Sequence, residues 1–155
     1  MYQIGDKIVY PMHGASIIEA IDEREILGKK KFYYVMNIKN MQVMLPTGSK
    51  IGIRKIVDLD ILEDVLKNFN HAESDIIANP NHRYRNNLNK MKSGDIYEGA
   101  QVIRDLTRMS KKKALAAGDK MMLDNARQVL TSELMLVKGL NHMEADDLLE
   151  MAIKE

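Results

Sequence analysis

The spacing of the apolar residues changes near residue 60, and this change limits the folds open to the chain. Between Gly5 and Arg54 the apolar residues come in short runs of strand length, separated by turn-prone residues. From Asp60 onward they recur with the 3.6-residue period of an amphipathic helix. The sequence therefore predicts an α+β protein, in which a small β-barrel or curled antiparallel sheet precedes a helical bundle.

The same patterning predicts two modules. Residues 70–80 are polar and lack periodicity, which is typical of a linker. We therefore divide the chain into residues 1–70, which include one short helix, a linker at 71–80, and a helical module at 81–155. Asn79 followed by Pro80 has the pattern of a helix N-cap and a first helical residue. Two further helix starts are predicted from possible capping boxes, Asp95 with Glu98 and Asn141 with Glu144.

Charge is concentrated in one stretch of a nearly neutral chain. Residues 82–127 contain eleven basic and five acidic side chains, whereas the rest of the chain contains twelve basic and seventeen acidic ones. Such a basic segment is typical of a protein that binds a polyanion, nucleic acid above all. A solvated helical surface would explain the same charge about equally well.

Several classes of site are excluded or disfavoured. The chain has no cysteine, which excludes disulfides, thiolate zinc sites and cysteine nucleophiles. No two of the four histidines lie three or four residues apart, so we expect no metal site and no cofactor. No acidic pair or serine has the sequence context of a tuned acid, base or nucleophile, so we expect no catalytic residues, no small-molecule substrate and no enzyme. With neither a signal peptide nor a long apolar run, the expected location is the cytoplasm, without a membrane partner.

Seven short segments occur in an order and spacing that together are specific. The first is the run Gly-Asp-Lys-Ile-Val-Tyr-Pro that begins at Gly5. The segments are residues 5–14, 43–46, 52–54, 82–85, 93–95, 102–106 and 122–127. Through them, and over nearly its full length, the chain resembles the CarD/CdnL family of bacterial RNA polymerase-binding transcription regulators.

The resemblance implies a function for each module. It implies a Tudor-like N-terminal module that binds the protrusion (lobe) region of the RNA polymerase β subunit, a module shared with the transcription-repair coupling factor. It implies a helical module that contacts promoter DNA just upstream of the melted region, at the backbone and minor groove. In the family, the two modules together stabilise the open promoter complex without sequence-specific base reading.

The resemblance also implies particular contact residues. The polymerase surface corresponds to Arg24, Val35, Met44 and Pro46. Val35 and Met44 could instead pack inside the sheet, and Pro46 could simply end a strand. The DNA contacts correspond to Arg83, Arg85, Arg104 and Lys120. Because Arg83 or Arg104 could instead pair with Asp105 or Glu98, we favour Arg85 and Lys120 as the phosphate contacts.

Pro80 departs from the family pattern. Many members have a tryptophan here, which wedges into the minor groove at the upstream edge of the bubble. Proline can act as an apolar wedge, but it also starts helices well, and we favour the structural role. Two other functions remain open: an RNA-binding or ribosome-associated factor, and a polymerase adaptor that lacks DNA binding.

Overall fold

The two longest strands, β2 (Gly14–Ile26) and β3 (Lys29–Ile38), form an antiparallel hairpin at the centre of a five-stranded sheet. A computed structural model describes residues 1–49, 52–74 and 77–154. The strands β1 (Lys7–Tyr10), β4 (Met41–Pro46) and β5 (Arg54–Lys55) complete the sheet in the order β4-β3-β2-β1-β5, and all neighbouring strands are antiparallel. The predicted antiparallel sheet is confirmed.

Tight turns and one bulge shape this sheet. Leu27 and Gly28 join β2 to β3 with φ angles of 53° and 76°, and Lys39 and Asn40 join β3 to β4 with 55° and 61°. Positive φ at both turn residues is what a type I′ hairpin turn requires, and such turns match the twist of the paired strands. The register shifts between Ile18 and Ala20, as expected of a β-bulge, which bends β2. The sheet therefore curls.

Five helices follow the sheet, as the periodicity predicts. They are α1 (Leu59–Lys67), α2 (Pro80–Ser93), α3 (Ile96–Lys112), α4 (Ala117–Lys138) and α5 (His142–Lys154). At the start of α2 the Asn79 side chain accepts a hydrogen bond from the His82 amide at 3.0 Å, and Pro80 occupies the first turn. Gly94 ends α2 in the left-handed conformation.

The two predicted capping boxes differ in completeness. Asn141 accepts from the Glu144 amide at 2.8 Å, and the Glu144 carboxylate accepts from the Asn141 amide at 3.1 Å, so this box is reciprocal. Asp95 accepts from the amides of Tyr97 and Glu98, whereas its own amide donates to the Ser93 hydroxyl. Asp95 therefore caps α3 as predicted, but the second half of its box is made by Ser93 instead of Glu98.

Two apolar cores support the molecule. One lies on the inner face of the sheet and contains Ile8, Ile18, Tyr34, Met36, Ile38 and Leu45. The other is shared by the helices, and the α1 residues Leu62, Val65 and Leu66 belong to it. Thus α1 packs with the helices, although it falls within the predicted 1–70 module. The division at 70 and 80 remains a prediction, and five residues of its ranges lie outside the described residues: Lys50, Ile51, Asp75, Ile76 and Glu155.

A hydrogen bond also links α1 to α3. The Tyr97 hydroxyl donates to an Asp64 carboxylate oxygen at 2.9 Å. This bond and the nearby negative charge favour the protonated phenol, so the pKa of Tyr97 is raised above its usual value.

The sheet and the helices meet directly at β2 and α4. The Ala15 amide donates to the Ser132 hydroxyl at 2.8 Å. Gly14 next to it has a φ of 131°, and a β-carbon there would lie 3.1 Å from the same hydroxyl oxygen. Glycine is therefore suited to Gly14 both by its backbone conformation and by this close approach.

Candidate nucleic-acid and protein interfaces

The strand register places the four residues expected to contact polymerase on one face of the sheet. Val35 pairs with Met44 across β3 and β4, and Pro46 pairs with Tyr33 two residues along. Arg24 pairs with Lys31, so it lies on the face that Tyr33 and Val35 share. Side chains alternate between faces along a strand, so this face is opposite to the apolar core. We call it the outer sheet face, formed by Ala20, Asp22, Arg24, Lys31, Tyr33, Val35, Met44 and Pro46.

These four residues differ in accessibility. Arg24 and Pro46 are exposed and Met44 is half-buried, whereas Val35 is only 4% exposed. The nearest carboxylate oxygen to Arg24 is that of Asp22 at 3.9 Å, a weak surface pair. The outer sheet face therefore offers a cation and an apolar strip at Met44 and Pro46, while Val35 is covered.

Two of the four predicted DNA contacts are turned into the protein. Arg83 donates through its Nη2 to the Asp119 carboxylate at 2.8 Å and through its Nη1 to the Ile77 carbonyl at 3.1 Å. Arg104 donates to Asp105 at 2.8 Å, and its side chain is 9% exposed. Buried ionic groups depend on their partners, so neither arginine could leave for a phosphate cheaply. The expected pairing of Arg104 with Asp105 is observed, and Arg83 pairs with Asp119, a partner that sequence reasoning missed.

Two further arginines of the basic segment are also engaged. Arg108 donates to the carbonyls of Asn70 and Ala72 and to the Ser74 hydroxyl. Arg127 pairs with Asp146 and Glu150 on α5. Arg108 thus fixes the segment that follows α1, and Arg127 fixes α5 against α4.

The remaining cations of residues 82–127 have no ion-pair partner among the residues that the structure describes. This range is described throughout, and it leaves Arg85, Lys90, Lys92, Lys111, Lys112, Lys113 and Lys120. Arg85 and Lys120 are exposed. The Arg83–Asp119 pair holds α2 and α4 together one residue from Lys120 and two residues from Arg85. Arg85 and Lys120, the two favoured phosphate contacts, therefore lie on α2 and α4, close to the ion pair that joins these two helices.

Two family models match consecutive parts of the chain. The one described as "CarD-like/TRCF RID domain" matches residues 2–57, and the one described as "CarD, C-terminal domain" matches residues 64–150. The chain belongs to the CarD-like family. It is also 52% identical over 149 residues to the Bacillus subtilis (strain 168) protein named "Putative transcription factor YdeB", covering 93% of this chain and 97% of that protein.

CarD-like membership confirms several sequence predictions. The family resemblance is confirmed, and so is the α+β class with a Tudor-like N-terminal sheet. CarD-like proteins are transcription factors and not enzymes, in agreement with the prediction of no catalytic activity. Membership in this family supports a role in regulating transcription.

The described residues contain neither a membrane-spanning helix nor a cluster of metal-binding side chains. Within residues 1–49, 52–74 and 77–154, none of the helices has the length and apolarity needed to cross a bilayer. In the same ranges no three His, Asp or Glu side chains form a group that could hold a metal ion.

Pro80, which stands where the family resemblance implies a tryptophan, is exposed in the first turn of α2. Its missing amide hydrogen costs nothing there, because the first amides of a helix have no partner within the helix. The helix-starting role that the sequence favoured therefore accounts for this residue.

Sequence reasoning missed the ion pair between Arg54 and Glu133. The two Arg54 terminal nitrogens each lie 2.7 Å from a Glu133 oxygen, and the Val57 amide donates to the same carboxylate at 2.9 Å. Glu133 is 1% exposed. A signal was present in the sequence, since Glu133 follows Leu130 at helical spacing within the otherwise apolar stripe of α4.

Proposed function

We propose that this CarD-like protein docks on the RNA polymerase β subunit and contacts promoter DNA upstream of the melted region, and thereby stabilises the open complex. It would act in the cytoplasm, at the nucleoid, wherever polymerase holds it. DNA contact would be to the backbone and minor groove, without sequence-specific readout. Membership in the CarD-like family supports the transcriptional role. The residues of the outer sheet face and the unpaired cations of the helices support the two interfaces.

The outer sheet face is the proposed polymerase contact. Met44 and Pro46 on β4 share one face with Arg24 on β2, where alternation exposes side chains that the core does not need. Val35, at 4% exposure, would act by supporting Met44 across the strand pair. β4 is also at one end of the sheet order, so its free backbone edge could accept a strand of the partner.

The unpaired cations of the helices are the proposed DNA contact. Arg85 and Lys120 lead this set, and exposed lysines on α2 and α3 add to it. Phosphate contacts release counterions, so binding of the helices to DNA should weaken steeply with salt. Few phosphates are within reach of these cations, so affinity for DNA alone should be weak, and docking on polymerase would supply a high effective concentration.

One observation carries the proposal: the expected docking residues share one sheet face, while the seven cations of residues 82–127 that form no ion pair with a described residue lie on the helices or directly after α3. The test uses the full chain in two assays, retention by a polymerase β fragment and a gel shift with duplex DNA at two salt concentrations. Retention together with salt-sensitive DNA binding is the expected result. Loss of retention would overturn the docking half.

An adaptor without DNA binding is the second candidate, because four arginines of the basic segment are engaged inside the protein. The same assays separate it from the first. Retention of the β fragment with no salt-sensitive gel shift would favour the adaptor. Preference for single-stranded RNA over duplex DNA would instead favour the RNA-binding alternative.

A further inference from the structure

A cavity of about 430 Å³ lies between α2, α3 and the residues just before α2. This volume falls in the range of sites that bind small molecules, about 300–1,000 Å³. Neither Arg85 nor Lys120 lines it, and neither does any residue of the outer sheet face. The proposed DNA contact includes two lysines at the edge of this cavity, Lys90 and Lys112, but gives no role to the cavity itself.

Part of the cavity wall is apolar. Ile77 and Ala78 line it before α2, and Leu106 and Met109 line it from α3. Aliphatic and thioether side chains of this kind favour a flat, weakly hydrated ring over water. A simple inorganic anion would gain nothing from such a wall.

Asn87 presents its side-chain amide to the same cavity. The residue is 5% exposed and lines the cavity, and its side-chain amide makes no hydrogen bond to any described residue. The amide atoms are not sealed from water, so both the donors and the acceptor of this group are available to a ligand in the cavity. A ligand edge that offers both an acceptor and a donor would satisfy it, as the edge of a nucleobase does.

Cations complete the lining. Arg83 and Arg108 are fixed by Asp119 and by carbonyls of the chain, but Lys90 and Lys112 have no carboxylate partner among the described residues. Two carboxylates also line the cavity: Asp105 is bound to Arg104, and Glu73 forms no ion pair with a described residue. Two unpaired ammonium groups beside an apolar wall suit a phosphate attached to a ring.

We propose that this cavity binds a nucleoside phosphate, with the base against Leu106 and Met109, its edge on Asn87, and its phosphate on Lys90 and Lys112. The lysines alone would also suit a phosphate of the DNA backbone. The apolar wall and the Asn87 amide that lines the cavity favour the nucleotide, since backbone contact uses neither. The proposal does not depend on polymerase docking or on duplex binding.

The experiment is calorimetric titration of the full chain, without polymerase or DNA, using 5′-GMP and 5′-AMP as probes. Guanosine, adenosine and inorganic phosphate are the fragment controls. At least one nucleotide should bind about tenfold more tightly than its nucleoside and than phosphate, because each fragment lacks one part of the contact. Equal binding of a nucleotide and inorganic phosphate, or no nucleotide binding, would overturn the proposal.

Variants locate the site. Lys112→Gln and Asn87→Asp should each lower the affinity for the nucleotide about tenfold. Lys111→Gln and Lys92→Gln, which change exposed lysines outside the cavity, should leave this affinity unchanged. Lys112→Gln retains the test if Asn87→Asp fails to fold. Equal losses in Lys111→Gln and Lys112→Gln would mean that general surface charge binds the nucleotide. Displacement of the nucleotide by duplex DNA, with Lys112→Gln weakening both alike, would assign the cavity to the DNA surface.

Discussion

Arg54 and Glu133 form a two-pronged ion pair between the last strand and the middle of α4, with both nitrogen–oxygen distances at 2.7 Å. The Arg54 Nε also donates to the Gly94 carbonyl at the end of α2. Because the carboxylate is 1% exposed, it depends on Arg54 and the Val57 amide for its stabilisation. This pair therefore connects the sheet to two helices.

Glu133→Gln should lower the free energy of unfolding by about 3 kcal/mol, because it leaves the Arg54 guanidinium without its counter-charge in a largely buried place. Urea unfolding followed by circular dichroism measures the loss. The matched control is Glu150→Gln, which makes the same change where the glutamate side chain is 40% exposed beside Arg127. There we expect a loss of about 1 kcal/mol or less. Equal losses in the two variants would contradict the special role of Glu133.

Arg83 and Arg85 are two residues apart on α2, yet replacing them should have different effects. The Arg83 variant should lose stability, whereas the Arg85 variant should lose affinity for DNA. Arg83→Gln leaves Asp119 buried at 5% exposure without its main partner, so stability should fall by about 3 kcal/mol. Arg85→Gln changes an exposed side chain with no ion pair, so stability should change by less than about 0.5 kcal/mol.

DNA binding should depend on Arg85, the exposed arginine of the two. Arg85→Gln should weaken duplex binding and reduce the slope of log affinity against log salt by about 1, as the loss of one phosphate contact does. Gel shifts at several salt concentrations give this slope, with Lys120→Gln as a second variant. An unchanged slope in both variants would remove these two residues from the DNA surface.

Local signals could be predicted from the sequence and long-range partners could not. The helix starts at Asn79, Asp95 and Asn141 were predictable because each cap binds an amide two or three residues away. The partner of Arg83 lies 36 residues along the chain, and that of Arg54 lies 79 residues along. Local spacing can place Glu133 on the buried stripe of α4, but it does not select Asp119 as the partner of Arg83 or Glu133 as the partner of Arg54.

Strand register was the other feature that could not be predicted from the sequence. Alternation predicts that either Val43 and Leu45 or Met44 faces the core, and it cannot choose between them. Tertiary packing chooses: Leu45 is buried in the sheet core with Val43 packed against it, and Met44 falls on the outer sheet face. Alternation within β3 puts Lys31 and Tyr33 on the same face as Val35, but only the pairing across strands shows that Met44, Pro46 and Arg24 share this face.

Met44→Glu should reduce retention by a polymerase β fragment at least about tenfold, because it places a charge in the middle of the proposed apolar strip. Its stability cost should be about 1 kcal/mol, since Met44 is only half-buried on an end strand. Met41→Glu is the matched control, because Met41 is 66% exposed at the start of the same strand and alternation puts it on the other face. If both variants retained the β fragment fully, docking through the outer sheet face would be wrong.

Pro80→Trp should lengthen the lifetime of the open promoter complex by about threefold or more. A tryptophan at the start of α2 offers a larger apolar side chain than proline, and it should therefore wedge between base steps more effectively. Folding should tolerate the change, since Pro80 is exposed and the cap made by Asn79 does not use its ring. Lifetimes are measured by challenging preformed complexes with a competitor. Asn81→Trp is the control: it adds the same side chain one exposed position further along α2, pointing about 100° around the helix. An unchanged lifetime with Pro80→Trp, or an equal gain with Asn81→Trp, would mean that residue 80 is not at the upstream edge of the bubble.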